Sequence, residues 1–297
     1  MLRSYLPSRF ITLGLCLIAM SGFVMGQGPL PEGVISTYEH HNIFGESIDL
    51  SVWRPDFSAR CYLPGGPRLE NESADLVEEL IDALEQEPAL GNYLLANAAK
   101  YGTVFCVDDK ADGIYSYYDL KLNVLSIKAH LDFYEQLIFF VHELRHLDAA
   151  SRGFCPSLEY DVQEMSRLTL ASEADAQAVT TLYAWRMKLN GEAEVWPTLA
   201  GLDLYGDIAL AFEQEMARSG DEVSATRAAV EQWYASKQRV FSYHLQACLS
   251  YLDALEASHK LQSYEPLPED FFDELCVLGA GDNYGCHHTE VLQSRSD

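Results

Sequence analysis

The sequence predicts an α+β fold that is mainly helical, with a small antiparallel sheet packed on one buried helix and a helical C-terminal half. Three observations predict it. Strand-like runs cluster in residues 103–127, apolar residues recur at helical spacing on both sides of that window, and residues 137–141 are apolar on every face, as in a helix sunk in a core. A chain of 297 residues that is 48% hydrophobic is long enough to bury such a core.

Taken in order, the chain opens MLRSYLPSRF, with Arg3 and Arg9, runs through an apolar stretch from Phe10 to Met25, and offers Val24 and Gly26 as small residues before a cut at Gln27. This reads as a secretory signal peptide over residues 1–26, since Ser21 and Gly22 leave the stretch too short for a membrane span. Residues 27–297 then form a single domain with loop-rich N- and C-terminal extensions, located in the periplasm or secreted. Cleavage removes two arginines and no acid, so the formal charge of −25 becomes −27. Such a surface repels phosphates and anionic lipid, which argues against nucleic-acid binding and against stable membrane association. Six cysteines remain: Cys61, Cys106, Cys155, Cys248, Cys276 and Cys286. An even number in an exported chain favours disulfides, and none shows the C-x-x-C spacing of a cysteine zinc site.

Residues 27–67 are rich in Gly, Pro and turn formers, with a short strand at Ile48 to Trp53 and with His40 and His41 in a solvated loop. Asn71-Glu72-Ser73 matches a glycosylation sequon. Leu76, Val77, Leu80, Ile81 and Leu84 predict a helix capped by Ser73 and stopped by Pro88, and a second helix covers Ala89 to Lys100. Strands follow at Thr103 to Val107, Ile114 to Tyr118 and Leu122 to Ile127, the last two joined by a turn at Asp119 to Lys121. The buried helix runs from Asp132 to Ser151 and ends at Gly153 and Pro156. Four more helices are expected, at Leu168 to Asn190, Tyr205 to Ser219, Glu222 to Ala235 and Arg239 to Lys260, before a polar tail from Gln262.

On the buried helix stands His142-Glu143-Leu144-Arg145-His146, an H-E-x-x-H pattern. Two histidines four residues apart share one helix face, so both imidazoles can reach one metal ion, and Glu143 beside them is placed to accept a proton from a water. A hydrolytic zinc (Zn2+) site needs a third protein ligand. Ala149 and Arg152 occupy the places of the glycine and histidine in H-E-x-x-H-x-x-G-x-x-H, which excludes that subclass. Glu173, 27 residues after His146, is the leading candidate, a carboxylate delivered from the next helix. The same stretch fits an S-x-x-D cap, in which Asp175 closes on Ser172 and Glu173 only favours the positive helix end. Asp175 is the reserve ligand. Asp203, in Gly201-Leu202-Asp203-Leu204-Tyr205-Gly206, ranks behind both.

The pairing of VHELRH with SEADAQA resembles a group of uncharacterised proteobacterial metallopeptidase-like proteins that carry H-E-x-x-H followed by E-A-D-A, and more distantly the ImmA/IrrE-type peptidases. Residues 225–244, ATRAAVEQWYASKQRVFSYH, are similar to a tryptophan-containing segment of the first group, so the likeness covers residues 100–250. It implies a zincin of the gluzincin type, with His142, His146 and Glu173 on zinc, Glu143 as general base and a peptide or protein as substrate. Arg145 and Asp148 depart from the motif, being charged where an uncharged and an apolar residue are usual. The alternative is a secreted non-catalytic module whose H-E-x-x-H holds a structural metal or is vestigial. Tyr243 or His244 on a late helix could stabilise an oxyanion, although packing or surface roles suit them as well. Cys286, His287, His288 and Glu290 read as a disulfide plus a solvated tail rather than a second metal cluster.

Overall fold

The computed structural model describes residues 40–49, 60–62, 71–108, 115–279 and 281–286. The signal peptide, residues 50–53 of the expected early strand, Ile114, and the tail residues His287, His288 and Glu290 lie outside them. The fold is α+β and mainly helical, as the sequence predicts. A two-residue hairpin pairs β1 (His40–His41) with β2 (Ser47–Ile48). His40 is therefore not in a solvated loop: it is buried, with Nε2 2.6 Å from the Leu122 carbonyl oxygen.

Helix α1 (Glu72–Glu85) is capped two residues earlier than predicted, because the Asn71 side chain, rather than Ser73, accepts the Ala74 N–H at 2.8 Å. It buries Ala74, Val77, Leu80 and Leu84, one stripe at helical spacing. Helix α2 (Gly91–Tyr101) begins at a glycine because a Cβ there would collide with the Leu84 carbonyl.

The four-stranded sheet has the order β3-β4-β6-β5, from β3 (Cys61–Tyr62), β4 (Val104–Asp108), β5 (Ser116–Asp119) and β6 (Val124–Lys128). It is mixed, not wholly antiparallel: β5 and β6 form the expected hairpin, but β6 returns between β5 and β4 and runs parallel to β4. Val104 to Val107 and Val124 to Ile127 are buried throughout, the unbroken pattern of a parallel pair covered on both faces. Cys61 and Cys106 face each other across β3 and β4 and form a disulfide. Cys276 and Cys286 form another, and Cys248 is a free thiol, so the six cysteines do not all pair.

Helix α3 (Phe133–Ser151) carries the H-E-x-x-H pattern. Asp132 and Glu135 form a capping box at its start, and every residue from Leu137 to Arg145 is buried. Helix α4 (Val162–Asn190) begins six residues earlier than its apolar pattern suggests. Its cap is Asp161, whose carboxylate accepts from the N–H groups of Gln163 and Glu164. Helix α5 (Val195–Gly201) has no counterpart among the expected helices; its Pro197 sits in the first turn, where no intrahelical N–H bond is lost. Helices α6 (Gly206–Ser219), α7 (Glu222–Ala235) and α8 (Lys237–Ser258) follow the prediction within two residues at every end.

One buried network fixes how α3 and α4 meet. The Arg145 guanidinium, fully buried, donates to both oxygens of Asp175 on α4 at 2.7 and 2.9 Å, to Asp148 at 2.6 Å and to the Leu275 carbonyl at 2.9 Å. Asp148 also accepts from Tyr93 on α2 at 2.6 Å and from Arg152 at 3.1 Å. Tyr284, inside the Cys276–Cys286 loop, donates its hydroxyl to Asp175. Removing the central cation strands two buried carboxylates, so Arg145→Met is expected to cost about 3–5 kcal/mol of folding stability in urea titration. A loss below about 1 kcal/mol would mean that the network is not a structural keystone.

Candidate metal centre

The register set by Arg145 and Asp175 brings one turn of α3 against one turn of α4. His142 and His146 stack one above the other with ring centroids 4.7 Å apart, and their Nε2 atoms approach to 3.0 Å. Glu173 enters from α4, with Oε2 3.4 Å from His142 Nε2 and Oε1 3.3 Å from His146 Nε2. One donor atom from each residue lies within 4.8 Å of the others, and among the described residues this is the group of three that could hold a metal ion. The chemistry of the donor set fits: two neutral imidazoles and one carboxylate bind an ion at about 2.0–2.2 Å, and a tetrahedral arrangement at that length sets its donors about 3.3 Å apart. Glu173 and His146 keep 18% and 19% side-chain exposure, so the cluster opens to one side of the molecule.

The electrostatics without a metal are those of an ion pair. Burial disfavours a charged His146, but the Glu173 carboxylate against it outweighs this and raises its pKa to about 9. Burial acts to raise Glu173 as well, and the two imidazoles hold it far below the usual carboxylate range. His142 Nδ1 is buried and accepts or donates no hydrogen bond among the described residues.

Glu143 stands beside the cluster and outside it. It is buried on α3, and Ser116 on β5 donates its hydroxyl to Glu143 Oε1 at 2.6 Å. The S-x-x-D capping pattern does not operate, because α4 starts at Val162 and leaves Ser172 and Glu173 mid-helix. Asp175 is unavailable as a ligand, since both its oxygens are committed to Arg145 and one also to Tyr284. Asp203 is exposed in the turn before α6 and does not join the cluster.

Its neighbour Tyr205 does reach the site. The Tyr205 ring lies 6.2 Å from that of His142, and its hydroxyl shares a hydrogen bond with Tyr243 of α8. Burial, then the Glu173 charge, pushes the Tyr205 pKa up, and the Glu173 charge followed by burial does the same for Tyr243. Both phenols therefore keep their protons. His244 turns away, with Nδ1 2.5 Å from Ser166 Oγ and Nε2 3.7 Å from Cys248 Sγ. Tyr205 and Ser116 went unmarked in the sequence; the Gly201 to Gly206 element pointed to the right turn through the wrong residue.

The family described as "Putative metallopeptidase family (DUF6782)" matches residues 55–286, a span that contains the Cys61–Cys106 and Cys276–Cys286 disulfides, His142, Glu143, His146 and Glu173. The chain belongs to this family. No curated protein and no solved structure matches it. For a metallopeptidase family member, the His142, His146 and Glu173 group is where the structure can accommodate the metal that the family name implies.

Metal uptake must displace the proton that His146 carries at neutral pH. Affinity for a divalent ion is expected to rise about tenfold per pH unit up to about 9 and then level off. Calorimetry at pH 7 in buffers of different ionisation enthalpy should count about one proton released per ion; an affinity independent of pH between about 6 and 8 contradicts the ion pair. In the metal-free protein the same pair adds stability that is complete below the ordinary histidine value of 6.5 and is lost as pH rises through about 9.

Proposed function

We propose that the protein is an exported zinc-dependent peptidase of the gluzincin type, in which His142, His146 and Glu173 hold the ion and Glu143 is the general base. The observation that carries this reading is the convergence of two imidazoles and one carboxylate beside a second carboxylate that is hydrogen-bonded but not part of the ligand group. Zinc suits two nitrogens and one oxygen with a position left open, and when bound it would supply a Lewis acid and lower the pKa of a water toward neutrality.

The chain's own residues account for the rest. Ser116 holds Glu143 Oε1, which leaves the other oxygen to accept the proton of the attacking water and to return it to the leaving amine. Tyr205 and Tyr243, kept protonated beside the cluster, can donate to the oxyanion that develops on the scissile carbonyl. Ser116 belongs to β5, which among the described residues pairs on one side only, with β6. An extended peptide laid along that free edge would place its backbone next to Glu143. Peptide or protein is thus the substrate class, and the charge of −25 disfavours nucleic acid and anionic lipid as partners.

Export, with cleavage before Gln27 and residues 27–297 as one mature domain, rests on the leader-like N-terminus and on the disulfides. No helix among the described residues is long and apolar enough to cross a membrane.

Three variants test the chemistry. Glu143→Gln should keep one zinc per chain by atomic absorption and lower cleavage of a peptide library about 100-fold or more. Wild type and variant cleaving alike, or neither cleaving, would return the site to the non-catalytic alternative. Ser116→Ala should lower kcat about tenfold with KM little changed, and Ser116→Thr should restore most of it, if the hydroxyl acts by orienting the base.

A further inference from the structure

The outward face of α8 carries Phe241, Leu245, Leu249 and Leu252, a spacing of four, four and three that lines a single helix stripe. Phe241 is 66% exposed, and the leucines are 47%, 52% and 51% exposed. The opposite face, with Ala247, Tyr251, Ala254 and Leu255, is buried, and through it α8 packs chiefly on α4. Single exposed leucines are ordinary surface. Four on one face over three turns mark a surface that something covers.

Two features say what the occupant is. The stripe nearly repeats when read in reverse, with spacings of four, four and three against three, four and four, so an antiparallel copy centred at the level of residue 247 sets Leu245 against Leu249 and brings Phe241 close to Leu252. The helix ends are complementary in charge. Lys237 is exposed in the first turn, and Asp253 and Glu256 are exposed near the last, so the same alignment brings the lysine of one copy to the acids of the other. An anionic membrane is a poor occupant for a chain of formal charge −25.

We propose that this face is a dimerisation surface, on which two copies of the chain pair their α8 helices antiparallel about a twofold axis near Ala247. The stripe alone is smaller than the roughly 800 Å² per partner of a stable complex, so the dimer is a reversible one. Cys248, the free thiol, lies one residue from the axis at the rim of the stripe, and the axis brings both thiols to the same rim. Tyr243 stands on the same helix between Phe241 and Leu245, so pairing would steady the element that carries it to the metal site.

Sedimentation velocity of the full chain over a concentration series tests this. The weight-average mass should rise toward that of two chains, and the double variant Leu245→Asp, Leu249→Asp should stay at one chain with unchanged helical circular dichroism. A short bismaleimide should join Cys248 to Cys248 in the wild type and fail in the double variant. A wild type that remains monomeric, which is also what covering by another segment of the same chain would give, overturns the proposal. So does a dimer that the double variant leaves intact, or one whose Cys248 thiols the reagent does not join.

Discussion

A guanidinium with no access to water dictates the arrangement of this molecule. Arg145 can be buried only if its charge and donors are met, and they are met by Asp148 one turn along its own helix, by Asp175 across the helix interface and by the Leu275 carbonyl. The two-pronged contact with Asp175 permits one register of α3 against α4. That register also sets His146 against Glu173, since Arg145 and Asp175 flank the ligand residues in sequence. The charged residues that depart from the usual H-E-x-x-H context are thus the means by which the third donor is delivered.

The site has two halves of different origin. Its candidate metal-binding half is built from adjacent turns of two consecutive helices, and the side chains proposed to act on a substrate come from elsewhere. Ser116 arrives on an edge strand, Tyr205 from the turn after α5, and Tyr243 from α8. The donors are therefore held by a rigid, buried pair, and the remainder of the cleft depends on how the sheet and the late helices pack around it.

This division also explains what could be read from the sequence. Helix boundaries were legible wherever an apolar stripe ran into a cap or a glycine, as at α3, α6, α7 and α8. His142, Glu143 and His146 were legible because they share one helix, and Glu173 because a carboxylate sat at a workable distance. The start of α4 was hidden by polar residues after Asp161, and that gap alone made the capping reading of Ser172 and Asp175 plausible. The parallel pairing of β4 and β6 had a signal, the apolar run Val104 to Val107 and the run Val124 to Ile127 broken only by Ser126, that outweighs the alternation expected of an antiparallel sheet. Ser116, Tyr205 and the distant partners of Arg145, Asp175 and Leu275, had none, because each contact joins residues 27 or more apart through tertiary packing.

The segment from Leu275 to Cys286 has a further meaning. Leu275 and Tyr284 complete the coordination of Arg145 and Asp175, and the loop that presents Tyr284 is closed by Cys276 and Cys286. Synthesis from the N-terminus delivers α3 and α4 well before these residues. The electrostatic balance behind α3 and α4 is therefore finished by a segment made well after them, and a chain cut before Leu275 holds His142, His146 and Glu173 without the fastening that keeps them in place.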